Sequence, residues 1–190
     1  MAGFAIVCAA LLSASCGTSG SSPGGAVLVD LTDAGAVAGW TTVNDPVMGG
    51  ASTSRVAFGD GGLVFSGDVS LANNGGFASA RSPQDPDIGQ RAAGATSFRV
   101  HAVGDGKTYL LKVGSVGQPW SYVQRFSTEP AVQRIYELPV AGFEPVGMRL
   151  RPAPDAPAHL DPSRINQVAV YILDKQQGPF ALTISAIDAL

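Results

Sequence analysis

The chain reads as an all-β protein, an antiparallel β-sandwich or jelly roll, on three observations. Short apolar stretches alternate with polar residues at a period of two, the spacing that lays one face of a strand on a core. Turn formers separate these stretches: 24 glycines and 13 prolines are spread along 190 residues without collagen-like periodicity. No segment keeps the apolar repeat of an amphipathic helix for more than about two turns. The alternations amount to about ten strands with no internal repeat, as in two-layer antiparallel folds.

Each element has its own signal. Residues 55–58 and 63–66 flank Gly59-Asp60-Gly61-Gly62, the pattern of a tight hairpin. Phe98, Val100 and Ala102 alternate with Arg99 and His101, giving a half-buried strand with His101 facing outward. Gly104-Asp105-Gly106-Lys107 turns the chain into an apolar strand at 109–113. Trp120, Tyr122, Gln124 and Phe126 share a face of the next strand, and 133–138 forms another. Val168, Val170 and Ile172 alternate with Gln167, Ala169 and Tyr171. In the last strand, after Gly178-Pro179, the residues Phe180, Leu182, Ile184 and Ala186 should face inward. Residues 152–162, rich in proline and holding Asp155, His159 and Asp161, read as one long surface loop.

The amino terminus is organised differently. Residues 1–12 are uncharged and mostly apolar, long enough for a signal-peptide core and too short for a bilayer span. Leu12-Ser13-Ala14-Ser15-Cys16 resembles a bacterial lipoprotein box, although Leu12 lies one position further from the cysteine than the usual box has it. The expected division is therefore a signal peptide over 1–15, a lipidated Cys16 with a Gly/Ser/Pro tether over 16–25, and a folded domain over 26–190. No Lys or Arg precedes Arg55, so the positively charged start of such a signal is expected upstream of Met1. A membrane-anchored extracytoplasmic lipoprotein is the expectation, with plain secretion as the alternative and a cytoplasmic protein behind both. With Cys8 removed and Cys16 lipidated, the folded domain would hold neither a disulfide nor a thiol nucleophile.

Composition narrows the function classes. The formal net charge is −3, with both signs scattered singly, so the basic stripe that binds nucleic acid is missing. Two histidines and two cysteines, far apart, do not make a transition-metal site. No cofactor is expected. A structural calcium ion near a sheet edge suits such folds, but no dense acidic cluster marks its place. No Gly-x-Ser-x-Gly elbow, His-Glu-x-x-His, Cys/His pair, phosphate loop or dinucleotide fingerprint occurs, so no catalytic residue is assigned.

Four polar, turn-rich blocks stand out. They are Val43-Asn44-Asp45-Pro46-Val47-Met48-Gly49-Gly50; Asn73-Asn74-Gly75-Gly76-Phe77-Ala78-Ser79-Ala80-Arg81; Gly104-Asp105-Gly106 with Tyr109; and Asp174-Lys175-Gln176-Gln177-Gly178-Pro179-Phe180. In this order, with Trp40 ahead of the first, they resemble the complex I intermediate-associated protein 30 family over 27–190. The resemblance implies a galactose-binding-domain-like β-sandwich with kinship to some carbohydrate-binding modules. It also implies a chaperone-like role, since mitochondrial members assist assembly of the respiratory NADH:ubiquinone oxidoreductase. Those members work in the matrix, which corresponds to the bacterial cytoplasm, whereas a lipoprotein faces the opposite side. Fold transfers across such a change of compartment better than function does.

The candidate binding residues lie mostly in these blocks. Asn73 and Asn74 offer amides beside two glycines, and Arg81 offers a bidentate contact to a carboxylate; alternatively the amides serve the turn's own backbone. Asn44 and Asp45 either close their loop on backbone N–H groups or bind a cation or hydroxyl. Asp105 is sufficiently explained by its turn. Asp174 and Gln176 suit a polar network joining the last two strands as well as a site, and Tyr109 belongs to the third block. Trp120 and Tyr122 can stack on a sugar or anchor an interface, with core packing as the default. A carboxylate pair drawn from Asp45, Asp105 and Asp174 would be needed for glycoside hydrolysis. The expected function is non-catalytic binding: first of a protein partner in a membrane complex, second of a cell-envelope or environmental polysaccharide, with a hydrolase third. A monomer is expected.

Overall fold

Twelve strands form in the computed structural model, which describes residues 25–190. They are β1 (Ala26–Asp30), β2 (Thr41–Asn44), β3 (Thr53–Gly59), β4 (Gly62–Val69), β5 (Ala78–Arg81), β6 (Ser97–Val103), β7 (Thr108–Gly114), β8 (Ser121–Ser127), β9 (Gln133–Pro139), β10 (Glu144–Val146), β11 (Gln167–Ile172) and β12 (Gly178–Ala189). Two short helices, α1 (Ala34–Ala38) and α2 (Asp87–Ala92), stay within the two-turn limit read from the sequence. The expected signal peptide, the expected lipidation site Cys16 and most of the expected tether lie outside the described residues.

The strands make two six-stranded sheets whose named pairings are all antiparallel. The first runs β3-β4-β12-β6-β9, with β1 also paired to β12; the second runs β10-β8-β7-β11-β5-β2. Side-chain alternation follows directly. Leu63, Phe65, Phe98, Val100, Leu182 and Ile184 of the first sheet are buried in one core with Tyr109, Leu111, Val168, Val170 and Ile172 of the second. Burying one such large apolar side chain is worth about 1.5–3 kcal/mol, and edge-to-face contacts such as Phe65 on Phe180, 4.8 Å between centroids, add specificity.

The Asp60-Gly61 hairpin forms as read: Gly59 pairs with Gly62, and both turn residues take positive φ, the twist a two-residue hairpin needs. Two expectations are corrected. The strand count is twelve because β2, β5 and β10 span four, four and three residues, too few for alternation to register. The inward face of β12 does not run through Ala186. The register shifts between Ile184 and Ala186, so Ile187 and Ala189 turn inward and Ala186 is only half-buried.

The outer face of the second sheet carries a second cluster. Leu110, Val123, Val146, Ala169 and Tyr171 are buried there, with Phe77, Leu150 and Leu173 against them. Tyr171 thus points away from the main core yet is 4% exposed.

Candidate functional site

The first two sequence blocks form a single knot around Asp45. Its carboxylate is fully buried and accepts four hydrogen bonds: from Ser52 N (2.8 Å), Ser52 Oγ (2.5 Å), Gly76 N (2.5 Å) and Phe77 N (3.1 Å). Burial pushes its pKa up, and these donors outweigh that and hold the group below the ordinary aspartate value. The knot leaves no room for side chains. A Cβ on Gly50 would lie 2.4 Å from Asp45 Cγ, and one on Gly75 would lie 2.6 Å from Asp45 Oδ2. Asn44 pairs with the Ser54 hydroxyl at 2.6 Å. Asn73 and Asn74 both take positive φ, the conformation that asparagine tolerates, and their side chains are exposed.

The other two blocks also act within the fold. Asp105 accepts from Lys107 N at 3.0 Å and from Ala181 N at 2.9 Å, tying its turn to β12. Tyr109 is fully buried; burial, then the Asp105 charge, push its phenol pKa up. Gln176 imitates a strand neighbour. Its Oε1 accepts from Thr108 N (2.9 Å), while its Nε2 donates to Thr108 O (2.7 Å) and Leu173 O (2.8 Å). Asp174 accepts two bonds from Arg125, at 2.7 and 2.9 Å, which hold its pKa down. Each of the three acids thus has its own set of protein donors, and they share none. Among the described residues there is no group of three or more His, Cys, Asp or Glu placed to hold a metal.

Arg81 stands apart. One rung crosses all six strands of the second sheet on its outer face: Thr41, Arg81, Ala169, Lys112, Val123 and Glu144. The next rung holds Val43, Ser79, Tyr171, Leu110 and Arg125. Arg81 and Lys112 therefore flank the small Ala169, and both reach over Tyr171. Arg81 Nη2 donates to Tyr171 Oη at 3.0 Å. The guanidinium carbon and Lys112 Nζ lie 5.9 and 5.8 Å from the ring centroid, within cation–π range. A cleft of about 180 Å³ opens here, lined by Arg81, Lys112, Ser115, Gln118, Ser121 and Gln167 among others.

The sequence points to Arg81 but not to Lys112 or Tyr171. The signal for Lys112 is a lone cation inside an apolar strand, and only the register shows that it shares a rung with Arg81. Trp120, half-buried, and Tyr122, whose hydroxyl donates to Pro157 O at 2.9 Å, line a second cleft of about 240 Å³ with His159, Asp161 and Arg164.

The family model described as Complex I intermediate-associated protein 30 (CIA30) matches residues 29–184. The chain belongs to this family. No curated protein matches it. Solved structures similar to this CIA30 domain include the family 11 carbohydrate-binding module of a cellulosomal cellulase of Clostridium thermocellum. That likeness has a TM-score of 0.61 and 14% identity over 88% of this chain and 95% of the other. The same family's module from that organism in complex with a β-1,3-1,4-mixed-linked tetrasaccharide gives 0.60 and 15%, over 90% and 97%. An agarase crystal structure gives 0.53 and 13%, over 88% of this chain and 25% of the enzyme. At these identities the likeness speaks for the fold: the CIA30 domain is a galactose-binding-like β-sandwich of the kind seen in carbohydrate-binding modules.

Proposed function

We propose that this CIA30 domain is a non-catalytic binding domain that works through the outer face of its second sheet, in a protein-binding, assembly-factor or chaperone-like role at the outer face of a membrane. The observation that carries the reading is the Arg81–Lys112 cleft. Neither cation has an acidic partner among the described residues, while Asp45, Asp105 and Asp174 are occupied in holding the fold. Family membership supports a protein partner. The apolar segment ahead of Cys16 supports an outward location.

A photo-cross-linking residue placed at Glu144, on the same rung as the cleft, tests this in native membranes. A second placed at Ile135, 56% exposed on the first sheet, is the control. Adducts with subunits of one membrane complex from position 144, and not from 135, are expected. Equal labelling from both positions, or none, contradicts the reading.

A carbohydrate ligand is the second reading, favoured by the Trp120 cleft and by the fold shared with glycan-binding modules. A melting temperature raised by soluble mixed-linked β-glucan tetrasaccharide would move the assignment there, since a ligand specific to the folded state stabilises it.

A further inference from the structure

We infer that the Arg81–Lys112 cleft receives a carboxylate from an acidic segment of the partner protein, a segment that also carries an apolar side chain. This rests on the protein-binding reading above and names the chemistry its surface selects. Arg81 spends one N–H on Tyr171, its Nε is buried without a hydrogen-bond partner, and it forms no ion pair among the described residues. Lys112 stands two strands away across Ala169, about 10 Å at the usual strand spacing. A carboxylate between them would meet a planar fork on one side and an ammonium on the other.

On the neighbouring rung Arg125 is neutralised. It is held by Asp174, and Glu144 adds negative charge beside it. Arg81 and Lys112, with no ion pair among the described residues, leave a positive pair at the cleft on a chain whose net charge is −3. A negative partner is the complement.

Two features favour a peptide over an acidic sugar. Tyr171 is the aromatic that lines this cleft, but it is 4% exposed beneath the two cations and presents no free ring for a sugar to stack on. At the rim, Val116 lines the cleft and is 46% exposed, an apolar contact of the kind a protein segment fills.

The probe is a short end-blocked peptide of alternating Glu and Val, titrated into the full chain while the Arg81 Nε–H and Lys112 signals are followed by NMR. Its Gln–Val counterpart and an oligogalacturonate are titrated in parallel. Expected are shifts confined to the cleft with the Glu–Val peptide, weakened about tenfold or more by Lys112→Gln and by the Gln–Val exchange, with an unchanged melting temperature for the variant. A response no different for the Gln–Val peptide, or no response, overturns the carboxylate assignment. A stronger response to oligogalacturonate overturns the peptide assignment. If the Glu–Val peptide fails while cross-linking from position 144 still labels complex subunits, this inference falls alone. If both fail, the protein-binding reading falls with it.

Discussion

At the scale of single residues, the polar side chains that mark the family are mostly structural. Asp45 shows why. A fully buried carboxylate with four donors cannot be replaced by an amide without turning some of those contacts donor to donor. Asp45→Asn is expected to cost on the order of 2–4 kcal/mol. In a chain of this size that lowers Tm by roughly 5–15 °C. The pH dependence has a definite sign. The folded pKa lies below the unfolded value, so the stability is complete above the unfolded value of about 3.9 and is lost as pH falls through the folded one. Melting curves across acid pH should therefore show wild type and Asp45→Asn converging as pH falls. A gap that stays constant would remove the ionised carboxylate from the account. That Asp45 would close its loop was one of two readings open in the sequence. Choosing between them required the partner donors Gly76 and Phe77, about thirty residues away in sequence and invisible to local pattern.

At the scale of elements, alternation reveals the long strands, while the short ones are dictated by their neighbours. β5 has four residues, and its alanines at 78 and 80 become core because β2 and β11 pair on either side of it. Nothing in Ala78-Ser79-Ala80-Arg81 itself announces a central strand. The bulge in β12 is likewise a tertiary effect, since β12 must satisfy β4 and β6 in register on its two sides. The turn over residues 72–76 is set by its contact with Asp45. Gly75→Ala would drive a methyl to 2.6 Å from Asp45 Oδ2 and 2.9 Å from Ser70 O, neither of which can swing away. A loss of about 1–3 kcal/mol is expected by urea unfolding. An unchanged midpoint would mean that the two loops are not locked together as described.

At the scale of the whole molecule, the sandwich divides its labour between two surfaces. One face of the second sheet closes the core; the other holds a small apolar cluster beside Arg81 and Lys112, which form no ion pair among the described residues. The general class of fold was legible from period-two patterning and turn chemistry, and four blocks in order pointed to the family. The proposed binding face was legible only in Arg81. Its companions Lys112 and Tyr171 come from separate strands, and their meeting depends on a register that no local pattern encodes. Asp45 holds the fold, and we assign the binding to the Arg81–Lys112 face. The most direct measurement sets melting temperature beside cross-linking yield from position 144 for Asp45→Asn and Lys112→Gln. Expected are a lowered Tm with retained cross-linking per folded molecule for Asp45→Asn, and an unchanged Tm with lost cross-linking for Lys112→Gln. The reverse pattern, with binding lost at Asp45 and untouched at Lys112, would contradict this assignment.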